Sequence, residues 1–449
     1  MSSNASDPLP VIIVGAGPSG LLLALLLARS GIPIEILDQA ETLNPQPRAS
    51  HYTAESCIEF DRAGILDEVN AAGFFPDGVS WRRLDEPEKS RLIKINNPSA
   101  SATSRHRMVC LPLHRLGEIL ERHLNEKGVK VRYGHRVVEI GGPDERDGDA
   151  AAWVVVEKQG PRQPAEDEDG KTVPVVREKL VGRYVVGCDG AGSTIRKKLY
   201  GEDVFPGYTW DEQIVATNVY YDFGRWGYDD SQFFVDPEHW HMVAKIQEDG
   251  LHRVTYGEIG GLNYQQLRER QPEKFRTMLP GNPGPDEYKL VNFSPYKVHQ
   301  RCVDAMRKGR YLLAADAAHL CNPFGEMGLT GGIADVGGLY DCLVGIYKGQ
   351  AEDSILDKWD QVRREIWHTV INPISTENLK RLYQYSGPDE ALEKDPFLAM
   401  MKKAEARKAQ RNGNFPDEEE NPGFPPLRYD MTQHYHRKAE DGTNGTGSR

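Results

Sequence analysis

The residues with the clearest chemical potential are glycines set in tight spacing beside carboxylates. Gly15-Ala16-Gly17-Pro18-Ser19-Gly20 follows an apolar run from Pro10 to Val14 and precedes another from Leu21 to Ala28. In a strand–turn–helix of this kind, Gly15 permits the tight turn and Gly17 lets the backbone approach a diphosphate. Gly20 lets helix and strand pack closely, and the helix N-terminus offers free N–H groups and a positive dipole end to the phosphates. Asp38 lies just past a second apolar stretch, Ile32 to Leu37. A carboxylate there accepts hydrogen bonds from ribose hydroxyls and repels a 2′-phosphate. Glu35 is the rival acid, but it sits mid-strand, so Asp38 is the better assignment. The turn alone does not separate FAD from NAD.

Two distant segments make that separation. Gly187-Cys188-Asp189-Gly190-Ala191-Gly192-Ser193-Thr194-Ile195-Arg196 resembles the Asp-Gly motif of single-component FAD-dependent aromatic monooxygenases, the para-hydroxybenzoate hydroxylase-like family. Gly309-Arg310-Tyr311-Leu312-Leu313-Ala314-Ala315-Asp316-Ala317-Ala318-His319, continuing through Pro323 to Leu329, resembles that family's second flavin motif. The resemblance covers about residues 10 to 365, with the motifs in the family's order. It implies FAD as cofactor, with Asp316 on a ribityl hydroxyl, Pro323 in the flavin turn, and Asp189 serving both FAD and the nicotinamide cofactor. It also implies FAD phosphate contacts from Arg48 and Arg115. The turn Gly328-Leu329-Thr330 opens a helix whose N–H groups suit the flavin's pyrimidine edge, where negative charge develops on reduction. Two departures stand out. Ala315 replaces the family's usual Gly, and Gly325-Glu326-Met327-Gly328 with Thr330 replaces Gly-Gln-Gly and Asn, placing a carboxyl near the flavin.

The substrate face is less legible. Tyr221, Arg225, His239, Trp240, His241 and Tyr256 lie where the family places its substrate, and ordinary sheet packing explains most of them equally well. His319 reads as a structural hydrogen-bonding residue ahead of an acid or base. The resemblance implies an FAD-dependent monooxygenase using NADPH or NADH and O2, transferring one oxygen through a flavin C4a-hydroperoxide to a phenolic or other aromatic substrate. An aromatic polyketide or alkaloid of secondary metabolism is an extension of that class. A related epoxidase and a non-catalytic FAD-binding protein are the alternatives; the lack of a Trp-x-Trp-x-Ile-Pro run disfavours a halogenase.

The elements that must position these residues follow from periodicity. The order strand, helix, strand over residues 9–37 implies a parallel sheet, helices are expected at 51–69 and 113–127, and strand character returns at 129–140, 152–157 and 180–186. Pro161 to Pro174 reads as an acidic surface hairpin tip. The expected fold class is α/β: a Rossmann-like FAD-binding domain (9–75, 105–205 and 300–350) interleaved with a mainly antiparallel β-sheet substrate domain (76–104 and 206–299). A helical segment at 351–385, interrupted or ended by Pro373, and a polar, partly disordered tail at 386–449 complete it.

Bulk properties bound the function. The 449 residues include 55 basic and 67 acidic side chains, a formal charge of −12, which argues against a nucleic-acid or anionic-membrane binder. Six scattered cysteines form neither a disulfide framework nor a zinc cluster, which points to no metal and to a cytoplasmic, reducing setting. The apolar run at Leu21 ends at Arg29, short of the ~20 residues of a membrane helix, and no other segment is a better candidate.

Overall fold

A computed structural model describes residues 8–45, 50–84, 90–96, 105–141, 151–158, 176–410 and 425–436. The chain opens with β1 (Val11–Val14), α1 (Pro18–Arg29) and β2 (Ile34–Leu37). All four β1 residues are buried, as a strand covered on both faces requires. Gly17 is the N-cap of α1 and Pro18 sits in its first turn, where a missing N–H leaves no bond unmade. The expected helix at 51–69 is instead β3 (His51–Tyr52), α2 (Ala54–Arg62) and α3 (Leu66–Ala72), because Gly64 turns left-handed at φ 70°. There follow β4 (Gly78–Arg82), β5 (Arg91–Asn96), β6 (Val109–Cys110) and α4 (Leu113–Glu126).

Strand character expected from 129 begins at β7 (His135–Gly141), followed by β8 (Ala152–Lys158). The run at 180–186 is two strands, β9 (Arg177–Gly182) and β10 (Tyr184–Gly187), broken at Arg183 and assigned to different sheets. The acidic hairpin tip at Pro161 to Pro174 lies outside the described residues. Next come α5 (Thr194–Tyr200), β11 (Gly207–Tyr220), β12 (Ser231–Phe234), β13 (His241–Lys245), β14 (Leu251–Glu258), α6 (Tyr264–Met278) and β15 (Lys289–Cys302). Short strands β16 (Arg307–Lys308), β17 (Tyr311–Leu313) and β18 (His319–Leu320) lead into α7 (Met327–Tyr347).

Two sheets dominate. A five-stranded sheet has the order β16-β17-β10-β1-β2, with β17, β10, β1 and β2 parallel. An eight-stranded sheet has the order β18-β15-β11-β14-β13-β12-β4-β5 and is antiparallel except where β4 lies parallel to β12. The architecture is therefore α/β with a mainly antiparallel second sheet. Beyond α7, α8 (Ile355–Ile366) widens into a π-helical turn at Trp367–Ile371 and runs on as α9 (Asn372–Lys380). Pro373 follows directly on the π-helical turn, so α-helical bonding is interrupted beside it while the helical segment runs on to Lys380. The tail is more ordered than its composition suggests: α10 (Pro388–Lys394) and α11 (Pro396–Gln410) are helices, and Leu427 and Met431 are buried.

By length and composition alone, α7 is a stronger membrane-crossing candidate than Leu21 to Ala28, but 89% of its most apolar window is buried inside the fold. It is a core helix. Its Asp335 is fully buried and joins three elements. One carboxylate oxygen accepts from His319 Nε2 at 2.7 Å and from Ala315 N at 2.9 Å; the other accepts from Arg363 Nε at 2.7 Å. Burial by itself raises this carboxyl, but His319 and Arg363 outweigh it and hold it well below the usual carboxylate range. Replacing Asp335 by Asn leaves Arg363 buried without its counter-charge and is expected to cost about 3–5 kcal/mol. A depressed carboxyl adds stability that is complete above its ordinary range near pH ~4 and drains away as the pH falls below it. Denaturant midpoints of wild type and D335N should therefore converge on acidification; a gap indifferent to pH would contradict this reading.

Candidate active site

The first glycine turn builds a groove. Gly15 N donates to Leu37 O at 2.8 Å, fixing the turn against β2. Asp38 Oδ2 accepts from Ala16 N and Oδ1 from Ala40 N, both at 2.7 Å, so the carboxylate is clamped between the turn and the chain beyond β2. Gly15 has φ 108°, and a Cβ there would overlap the Cys188 carbonyl oxygen. A Cβ on Gly20 would overlap the Gly15 carbonyl oxygen, whereas one on Gly17 meets nothing within 4 Å. Gly17 therefore faces open space at the start of α1. Gly15, Gly17, Asp38, His114, Asp189 and Thr194 share the lining of a cavity of about 430 Å³. Helix N-terminus, open backbone and clamped carboxylate fit the diphosphate and ribose of a dinucleotide.

Asp189 is largely occupied with its own loop. Its Oδ1 accepts from Ser193 Oγ at 2.5 Å, and its Oδ2 from the N–H groups of Thr194 at 2.6 Å and Ile195 at 3.2 Å. Burial raises the Asp189 carboxyl, although these bonds pull against it. Arg115 sits in the first turn of α4, exposed and paired with Glu118 at 3.2 Å, while its neighbour His114 lines the groove. Arg48 lies outside the described residues. Arg196 is the residue that sequence reading left without a role. Its guanidinium donates to Ala191 O at 2.7 Å and Ala317 O at 3.1 Å, binding the second motif to the third.

The third motif places Ala315 in the left-handed region at φ 55°, held by the Asp335 carboxylate, with Asp316 exposed beside it. This backbone angle explains why glycine suits the position. His319 is 2% exposed and bonded to Asp335, in keeping with a structural role. Gly328, Leu329 and Thr330 form the first turn of α7. Pro323, Glu326, Met327 and Thr330 line a second cavity of about 330 Å³, closed on its other sides by residues such as Trp81 and Phe233. Glu326 is also left-handed, at φ 59°. About a third of its side chain opens on the cavity, with protein around it on every other side, and this burial pushes its carboxyl up to about 7. His51 faces it at 3.6 Å, pulled down to about 4 by burial and by Arg253.

None of the six aromatic, histidine and arginine candidates of the middle region lines this cavity. His241 stacks on Phe234 at 4.1 Å and pairs across the sheet with Tyr256, which packs against Phe275 on α6. Strand side chains alternate faces, so the cavity is lined instead by their neighbours Phe233 and Met242. Tyr221 donates to Pro280 O, Trp240 packs on Phe324 and Tyr383, Arg225 is exposed over Trp226, and His239 stands half-buried outside the wall. The lining residues that sequence reading missed, among them His51, Asn378, Arg381 and Leu427, come from β3, from α9 and just past its end, and from the tail, far from any motif.

The glycine geometry predicts opposite phenotypes. Gly20→Ala forces α1 away from the turn and should lower the melting temperature of the cofactor-free protein. Gly17→Ala should keep the stability of the cofactor-free protein within about 1 kcal/mol of wild type yet weaken FAD retention about tenfold or more, because its methyl enters the space of the diphosphate. Thermal unfolding of the stripped protein and fluorescence titration with FAD check both; equal FAD affinity in G17A would count against this placement.

Comparison with known proteins agrees with this geometry. Residues 8–372 match the FAD binding domain family. The chain is 35% identical over 396 residues to para-nitrophenol 4-monooxygenase of Pseudomonas sp. strain WBC-3, covering 88% of this chain and 91% of that protein. It is 34% identical over 377 residues to 6-hydroxy-3-succinoylpyridine 3-monooxygenase HspB of Pseudomonas putida, covering 83% and 88%. The crystal structure of p-nitrophenol 4-monooxygenase PnpA from Pseudomonas putida DLL-E4 superimposes with a TM-score of 0.76 at 32% identity, over 91% of this chain and 99% of that one. With the three motifs brought together around one groove and cavity, the chain belongs to the family of single-component FAD-dependent aromatic monooxygenases.

Proposed function

We propose that this FAD-dependent monooxygenase hydroxylates a small phenol that carries no carboxylate. The observation behind this is the composition of the second cavity, whose walls are mostly apolar and whose cation is already engaged. Arg381 Nε donates to Asp395 at 2.8 Å and its Nη1 to Asn378 at 2.7 Å, with the guanidinium laid over Phe397. Among the described lining residues no other arginine or lysine stands ready for a substrate carboxylate. The substrate named for one relative, para-nitrophenol, is a phenol without a carboxylate, which supports the class.

The residues divide the work. Gly15, Gly17, Gly20 and Asp38 hold the nucleotide end of FAD; Asp189, Asp316 and the turn from Pro323 through Gly328, Leu329 and Thr330 hold its flavin end, and the family resemblance assigns Arg48 and Arg115 to the phosphates. Bound FAD supplies the redox chemistry that draws two electrons from NADPH or NADH and delivers one atom of O2 to the ring, the other leaving as water. Trp81, Phe233 and Met242 flank the ring and exclude water, which strengthens every polar contact inside. All six cysteines are free and five of them are buried, which suits work in the reducing cytoplasm.

The test is nicotinamide oxidation by the FAD-loaded protein in air. Phenols without a carboxylate should stimulate it about tenfold or more over hydroxybenzoates, with a product heavier by one oxygen. Oxidation that no aromatic compound stimulates would refute the proposal.

A further inference from the structure

The polar groups of the second cavity form a set that the cofactor assignments leave unused. Glu326 Oε1 stands 3.6 Å from His51 Nδ1. His51 is 6% exposed, with Ser50 Oγ 3.2 Å from its Nδ1 and Ser231 Oγ 3.4 Å from its Nε2. His51, Ser231, Gln232 and Glu326 line the same cavity. Gln232 is 1% exposed and spends its amide N–H on Val243 O at 3.2 Å, leaving Oε1 without a donor among the described residues. This wall offers a carboxylate to whatever enters, with an amide oxygen buried in the same lining, and both are acceptors.

Resting on the phenol reading above, we infer that Glu326, seated by His51, is the hydrogen-bond acceptor that selects a phenol in its neutral, protonated form. The surroundings define why, among the described residues, no donor is bonded to it. His51 is held down to about 4 and is neutral at physiological pH, so it brings no positive charge to the pair. Arg381, across the cavity, is engaged with Asp395, and Glu55 on α2 accepts from the backbone of Leu427 at 2.9 Å and Arg428 at 3.2 Å. Cys110 lies behind His51 at 4.0 Å; the charges of Asp230 and Lys245 act on Cys110, and that of Arg253 acts on His51. A phenol hydroxyl supplies the missing donor, and a bond to an ionised carboxylate is about twice as strong as one to a neutral acceptor. A phenolate would instead meet Glu326 as a like charge.

The pH sign follows. Glu326 must be ionised to act as the strong acceptor, and its carboxyl is pushed up to about 7. Affinity for a phenol should therefore rise as the pH climbs through about 7 and hold until the phenol itself ionises near ~10.

Phenol and its methyl ether, anisole, are titrated into FAD-loaded protein without nicotinamide, on both sides of neutrality, following the flavin absorbance. Wild type should bind phenol about tenfold or more tighter than anisole above neutrality, with the advantage fading in acid; anisole binding should ignore pH. Glu326→Gln should retain FAD but lose both the preference and its pH dependence. Glu326→Asn, a residue at ease in the left-handed conformation, repeats the test if the Gln form sheds FAD, and the wild-type pH profile against anisole is decisive by itself. Variants that keep the preference and its pH dependence, or a wild type that treats the two ligands alike, overturn the assignment of Glu326. If wild type binds neither ligand, the phenol reading falls and takes this inference with it.

Discussion

The buried carboxylate of Asp335 is the constraint on which the flavin end of the molecule depends. A lone charge at that depth is prohibitively costly, so it persists only because Arg363, His319 and the Ala315 amide share it. Those partners come from α8, from the strand after the third motif and from the turn before Asp316. Arg363 also donates to the backbone oxygens of Gly331 and Leu427, so the same cation ties in the start of α7 and the tail. The turn proposed to face the flavin is thus positioned by an ion cluster that need not touch the cofactor.

The cluster has strain to offset. Ala315 and Glu326, at φ 55° and 59°, are two of the three non-glycine residues with positive φ among the described residues. A left-handed non-glycine residue costs roughly 1–2 kcal/mol, so the segment from 315 to 326 would relax if freed. The Asp335 bond holds Ala315 at one end, and the His51–Glu326 contact stands at the other. Strained backbone at both ends of a turn marks it as shaped for a ligand.

What the sequence disclosed, and what it hid, follows from range. The nucleotide groove is legible because its work is done by contiguous glycines whose backbone geometry is local, and Asp38 follows within one βαβ unit. The substrate cavity is not legible, because a sheet reverses its faces with each residue. His241 and Met242 are one position apart and face opposite sides, as are Phe234 and Phe233, and nothing local in 231–256 says which member of each pair lines the cavity. The rest of that wall reaches it through tertiary packing alone: His51 from a two-residue strand read as helix, Asn378 from α9 and Arg381 from just past its end, Phe397 from α11. The tail looked polar because α11 buries only a few side chains, Leu398 and Met401 among them, and a short apolar face is swamped by its charged one.

The charge balance links the two ends. A chain with formal charge −12 repels anions at long range, yet its cofactor carries a diphosphate. On the proposed placement the attraction is short-ranged, and backbone dipoles contribute to it beside the arginines assigned to the phosphates: the N-terminus of α1 at the groove and that of α7 at the turn proposed for the flavin, each opened by a glycine-bearing segment that lets the ligand come close. The same field bears on the substrate. An acidic surface and a cavity wall of acceptors both disfavour an anion, and the apolar lining gives a neutral aromatic ring the larger gain on leaving water. On the inferred role of Glu326, selection for charge state thus starts at the protein surface and is completed at the cavity wall.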